Sequence, residues 1–347
     1  MSHSTVPRSR AEAKSKTARE KTPVASGGAT GAEGKRPPGK LSLKVRFRRD
    51  RLLLLMTLPA LLLVLLFNYV PILGNVVAFQ DYDPYISENG VVSILNSPWV
   101  GLDNFQRIFE DSAFWAAVRN TLVLFFLQLV LYFPIPILLA LLINSVVRPR
   151  VRAVAQAVLY LPHFFSWVLV IAVFQQMFGG AGMLSQLLRE NGYNGLDIMT
   201  NPDTFAFLVT AQTVWKDAGW GIIVFLAALA SVSPDLYEAA AMDGAGRWRR
   251  MWHVTLPALR PVIALLLVLR VGDALTVGFE QILLQRDAVG PGAAEVLDTF
   301  VWWNGVRNQD FSYAAAAGLV KGVVSLGLVL AANKVAHLMG EQGVYKK

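Results

Sequence analysis

The sequence predicts an all-α integral membrane protein with six transmembrane helices and both termini inside (N-in/C-in). Three observations predict it. Of 347 residues, 54% are hydrophobic and only 16% are charged, against roughly a quarter charged in an ordinary soluble domain. Six stretches, 52–79, 118–146, 154–178, 205–231, 262–285 and 312–338, each supply the about 20 mainly apolar residues that cross roughly 30 Å of hydrocarbon. Basic residues are sorted between the connections. An N-in chain keeps 24 of its 32 Lys and Arg on the inner side, and its outer connections hold four, Arg107, Arg189, Arg286 and Arg307, as positive charge should distribute.

Taken in order, residues 1–51 hold 14 basic and 4 acidic groups in a Ser-, Ala-, Gly- and Pro-rich setting. The expectation is a disordered basic cytoplasmic tail over 1–45. The net charge of +8 therefore marks orientation rather than an acidic or nucleic-acid ligand. The first apolar run is too long for a secretory signal, and no small-residue cleavage site follows it, so it reads as an uncleaved span. Residues 46–117 then form the first transmembrane helix and an outer loop, in which Pro84, Pro98 and Trp99 suggest a small folded cap. Residues 118–347 form a five-helix core. Its outer connection 179–204 carries a short amphipathic helix at 183–189, and 286–311 is the last outer connection.

Several chemistries are excluded. With no cysteine there is no disulfide, thiolate metal site or Cys nucleophile. His3, His163, His253 and His337 are scattered and make no metal cluster. Asp81 and Asp83 read as solvated loop carboxylates. Gly34 to Lys40 has GxxxxGK spacing, but Leu41 stands where a Ser or Thr must reach Mg²⁺, and no strand precedes it. The chain binds no cofactor of its own, and no nucleophile–base pair marks it as an enzyme.

The inner connection 232–261 is longer than two spans require. Ser233 suits an N-cap and Pro234 the first helical position. Asp235 and Glu238 sit near the positive end of the helix dipole. Gly244 and Gly246 interrupt this helix, a second runs over about 248–253, and Leu256-Pro257 leads into the next span. One reading is an interfacial hairpin, with Arg247, Arg249 and Arg250 on anionic lipid and Trp248 and Trp252 at headgroup level.

The residues also carry a family resemblance. Glu238-Ala239-Ala240, Gly244 four residues on, and Leu256-Pro257 resemble the EAA loop of permease subunits of bacterial ABC importers. Trp99-Val100-Gly101-Leu102-Asp103-Asn104-Phe105 resembles an outer-loop element of the sugar and oligosaccharide branch. Tyr160 to Trp167, Trp215-Lys216, Gly219-Trp220-Gly221, Gly278 to Ile282 and Asp298 to Val301 resemble its complex-polysaccharide uptake subgroup. The resemblance covers roughly 50–343 and implies a type I ABC importer permease-like fold in the bacterial plasma membrane. It implies an ATPase-coupling role for Glu238, Ala239, Ala240, Asp243, Gly244, Leu256 and Pro257. Implied partners are a second homologous permease in a heterodimer, two ATPase subunits that hold ATP-Mg, an extracytoplasmic solute-binding protein, a sugar or oligosaccharide and the bilayer, with no nucleic acid.

Charges at membrane depth are costly and usually face protein or a water-filled path. Lys216, Asp217, Arg270, Asp273 and Lys321 all fall within the expected spans. They read either as local neutralisation, Arg270 with Asp273 and Asp217 with Lys321, or as a polar path. In the second reading Lys216, Trp220, Asp273, Phe279, Glu280 and Gln281 are the substrate-path candidates, with aromatic faces from Trp220, Trp215 and Phe279. The resemblance favours Glu280 and Gln281 as lining; Arg270 and Asp273 are atypical for the subgroup. An ion-gradient transporter would use the same charges as a relay, but leaves the long inner connection unexplained. A membrane-embedded glycosyltransferase would need inner-face catalytic carboxylates beyond Asp235, Glu238 and Asp243.

Overall fold

The computed structural model describes residues 51–338. The tail 1–45, the GxxxxGK segment and 339–347 lie outside the described residues. Among those described, the chain is helical apart from one isolated bridge between Gln80 and Trp99. Six helices are long and apolar enough to span a bilayer: Arg51–Phe79, Ser112–Ser145, Trp167–Glu190, Phe205–Ala230, Arg247–Gly272 and Phe311–Leu338.

The described residues divide into two units, one ending at Val64 and the other beginning at Leu65. In the first, Arg51–Val64 is a leucine-rich helix containing Pro59 and burying no residue. A helix apolar on every side is suited to lipid rather than to water.

In the second unit, Phe205–Ala230 is the central helix. Val209 and Ile222 are fully buried, and its two halves enter separate clusters. Its N-terminal half packs with Phe125, Val277 and Ile282, and its C-terminal half with Ala140, Ile143 and Leu259. The outer cap hangs on Asn104, whose side-chain amide donates to the carbonyls of Ala78 at 3.1 Å and Gln80 at 2.9 Å. Trp99 stacks on Phe79 at 5.7 Å.

Three spans differ from the hydropathy reading. The second starts at Ser112, not 118, because Asp111 caps it by accepting from the Ala113 amide at 2.7 Å. A π-turn, Gln128–Tyr132, precedes Pro134 and absorbs the missing proline N–H. The third is broken: Pro149–Tyr160 is helical, Leu161–Phe164 is a 3₁₀ turn, and the helix restarts at Trp167. The fifth begins at Arg247 and stops at Gly272. The second helix of the inner connection is therefore the base of this span, joined to it through a π-turn, Met251–Thr255, just ahead of Pro257. Residues 274–284, read from sequence as membrane-spanning, bury Ala274, Leu275, Val277 and Ile282 against protein.

The last outer connection is also not a surface loop. The Asn120 side-chain amide donates to the carbonyls of Gly292 at 3.1 Å and Glu295 at 3.0 Å, and the Leu297 amide donates to Thr121 Oγ1 at 2.9 Å. Asn120 and Thr121 lie eight and nine residues into the Ser112–Ser145 span, roughly 12–14 Å along its axis. Residues 290–302 therefore dip into the helix bundle. Beside this segment Arg286 donates to Glu295 at 2.6 Å and lies 3.7 Å above the Trp303 ring, so these two buried charges partner each other.

Candidate functional site

Two regions carry the predicted site residues. The first is the inner connection. Ser233 caps Pro234–Met242 by accepting from the Asp235 amide at 3.3 Å. The helix ends in a Schellman arrangement: the Ala245 amide donates to Ala240 O at 2.9 Å and the Gly244 amide to Ala241 O at 3.0 Å. That closure needs the left-handed backbone, and Gly244 has φ +74°. Tyr237 Oη and Thr255 Oγ1 meet at 3.2 Å, tying this short helix to the base of the fifth span. Glu238, Ala239, Asp243 and Gly244 are exposed, Ala240, Leu256 and Pro257 half-buried. The result is a short helix with an open small-residue face, held against a long lever.

The second region lies where the third span breaks. Pro162 cannot donate a backbone bond. Ser166 is extended at φ −65°, ψ 154° and caps the helix that follows. The break leaves the His163 carbonyl free of helical partners, and Lys216 Nζ donates to it at 2.6 Å. Asp217 Oδ1 meets His163 Nδ1 at 2.9 Å and Lys216 Nζ at 3.8 Å. The Trp220 ring stacks on the imidazole at 4.6 Å and 10°. Gly219 lets the two elements approach: a Cβ there would lie 1.8 Å from the Leu159 carbonyl oxygen.

Lys216 stands eleven residues from the N-terminal end of a 26-residue span, roughly 17 Å along it. Its side chain is 8% exposed, but Asp217 is 27%, His163 30% and Trp220 51% exposed. Such groups at mid-depth belong beside water or a polar ligand rather than lipid. Unwound backbone at this depth is tolerated where it is buried in protein or lines a cavity.

The remaining candidates separate. Gln281 is fully buried: its Nε2 donates to Gln212 Oε1 at 2.7 Å and to Val209 O at 2.9 Å, and its Oε1 accepts from Thr213 at 3.2 Å. Gln285 completes this network through Gln212. Gln281 thus sits behind the wall as a brace, not on it. Phe279, Glu280 and Asp273 are exposed. The local pairings read from sequence do not form. Arg270 donates to Gln128 and lies 5.9 Å from the Tyr132 ring. Lys321 pairs with Asp298, and Asp217 with His163. Sequence reasoning set His163 aside as a metal ligand, kept it only as part of the Tyr160 to Trp167 resemblance, and missed Gln128, Tyr132 and Gln212. The Pro162 to Ser166 break was the available signal. Among the described residues no group of three or more His, Asp and Glu could hold a metal ion.

Residues 132–338, which contain both regions, match the model of the binding-protein-dependent transport system inner membrane component family. The chain belongs to this family. It is 43% identical to the polygalacturonan/rhamnogalacturonan transport system permease protein YteP of Bacillus subtilis (strain 168), over 87% of this chain and 93% of that one. It is 39% identical to Protein LplB of the same organism, over 88% and 94%. Among solved structures it resembles a chain of the bacterial alginate ABC transporter in complex with an alginate pentasaccharide-bound periplasmic protein. There the TM-score is 0.79 at 36% identity, covering 87% of this chain and 99% of that chain. As an inner membrane component of this family the chain is a multi-pass permease subunit and not an enzyme. It works with ATPase and solute-binding partners.

Proposed function

We propose that this permease forms half of the translocation pathway of an ATP-driven importer for an oligosaccharide, with the broken third span as its solute-contacting element. The observation that carries this reading is the partly exposed Trp220–His163–Asp217 cluster at mid-membrane depth. An aromatic face beside a few convergent polar groups is the composition of a ligand site. Trp220 offers its open face to a sugar ring, and the Asp217 carboxylate accepts from sugar hydroxyls while Lys216 and His163 hold it in place. Phe279, Glu280 and Asp273 extend the lining. The relatives named for polygalacturonan, rhamnogalacturonan and alginate support an oligosaccharide rather than an ion. Replacing Trp220 by alanine should raise the KM for uptake about tenfold, the loss of one aromatic face, at unchanged basal ATP hydrolysis by the complex. Radiolabelled-sugar uptake into proteoliposomes measures both terms.

Coupling is assigned to the exposed helix at Glu238 to Gly244, which docks on an ATPase subunit and moves the fifth span through Tyr237 and Thr255. Charge distribution supports an N-in/C-in orientation that puts this helix on the ATPase side, with the core over 118–347 after the tail at 1–45 and the first span and outer loop at 46–117. The second half of the pathway is a homologous permease in a heterodimer, and ATP-Mg is held by the two ATPase subunits. Glu238→Lys reverses an exposed charge at this contact and should cut uptake and solute-stimulated ATP hydrolysis on the order of tenfold or more. Unchanged uptake in a correctly inserted variant would refute the assignment.

A further inference from the structure

A groove between the fifth and sixth spans carries chemistry that the transport reading does not use. Its volume is about 670 Å³, and its walls run from Arg260 through Ala264 to Val271 on one helix and from Leu328 through Ala332 to Ala336 on the other. Every lining residue is apolar except Arg260. Alanines give the groove its depth. Arg260 is exposed and makes no ion pair or hydrogen bond with the described residues, and Lys334 is likewise exposed on the same turn as Ala332 to Ala336.

We propose that this groove binds an anionic phospholipid of the inner leaflet, with an acyl chain between the two spans and the phosphate on Arg260. Three observations choose this occupant. Eleven residues separate Arg260 from Val271, about 16 Å along the helix, which matches one leaflet of a roughly 30 Å hydrocarbon core. The basic group stands at one end only, which is the cytoplasmic end in the orientation inferred above. Basic pockets at the cytoplasmic side of paired spans suit anionic headgroups. The mean cross-section, about 40 Å² from that volume and length, is about half that of a helix with its side chains, about 10 Å across, so a partner's helix would not seat in it.

The test is native mass spectrometry of the complete transporter purified in mild detergent, because it reads bound lipid independently of transport. The expected result is retained phosphatidylglycerol or cardiolipin in preference to phosphatidylethanolamine. Arg260→Gln should lower that retention about fivefold, the effect of one basic group at an anionic surface, and Arg260→Lys should restore most of it. Ala332→Trp, which fills the groove, should expel the lipid even with Arg260 intact. Equal retention of zwitterionic lipid, or unchanged retention in Arg260→Gln, would overturn the proposal. So would photo-cross-linking to a partner subunit from a benzophenone maleimide placed on an introduced Ala332→Cys, a label confined to one site of this chain because it has no native cysteine.

Discussion

The Gly219→Val variant is expected to lose uptake entirely and to show a strongly lowered Tm in detergent. At Gly219 the nearest atoms to an added Cβ are backbone: Leu159 O at 1.8 Å, Leu159 C at 2.5 Å and Tyr160 N at 3.1 Å. No rotamer change relieves such a contact. The central helix and the broken third span would have to separate by about 1.5 Å to reach ordinary van der Waals distance. Overpacking a tight site costs about 1–3 kcal/mol and more where backbone must move. The displacement also stretches two contacts made by neighbouring side chains, Lys216 to the His163 carbonyl and Asp217 to the His163 ring. Releasing them leaves an ammonium and a carboxylate at membrane depth with weaker partners, so folding and pathway fail together. Gly244→Ala is the informative contrast. Gly244 has nothing within 4 Å of an added Cβ, so only its left-handed backbone is strained, at about 1 kcal/mol, and the variant should remain folded. A thermal-unfolding comparison of the two variants separates close approach from turn strain; similar Tm values would refute the distinction.

That contrast also shows what the residues disclosed before any coordinates. Gly244 was legible because a helix C-terminus is a local structure, closed by bonds among Ala240, Ala241, Gly244 and Ala245. Ser233 and the short helix after it were legible for the same reason. The fourth and sixth spans were found within a residue or so, because each is one uninterrupted apolar run. The fifth was displaced because hydropathy records apolar character and not its surroundings. Ala274, Leu275, Val277 and Ile282 are buried by other helices, whereas the arginine-bearing turn at Arg247–Arg250 continues into the span. Charge partners were the least legible feature. Arg270 finds Gln128, 142 residues away, rather than Asp273 three residues on. His163 gained its role only when the broken span set its ring between Asp217 and Trp220.

Lys321→Met is expected to destabilise the core strongly for a single charge change. Lys321 lies ten residues into the sixth span, roughly 15 Å from its N-terminal end. It pairs with Asp298, carried in by the segment that dips beside the second span, and their side chains are only 17% and 21% exposed. Asp298 Oδ2 has no hydrogen-bond partner, and among the described residues Lys321 is the carboxylate's ion-pair partner. Removing the ammonium leaves an unpaired buried charge, which costs about 3–5 kcal/mol; the residual exposure places this pair near the lower figure. The reverse change, Asp298→Asn, strands the ammonium and should cost a similar amount. The double variant Lys321→Met with Asp298→Asn removes both charges, so it should recover most of the loss despite deleting the same contact. Urea or thermal unfolding of the four proteins forms a double-mutant cycle, with an expected coupling of about 5 kcal/mol, because two losses of about 3 kcal/mol each would leave only about 1 kcal/mol in the double variant. Simple additivity in that cycle would show that the pair does not hold the re-entrant segment in the membrane. A recovered double variant that also imports solute would show that the segment needs neutrality here, not an ion pair. Retained stability with lost uptake would assign the pair to movement of the outer segment during transport.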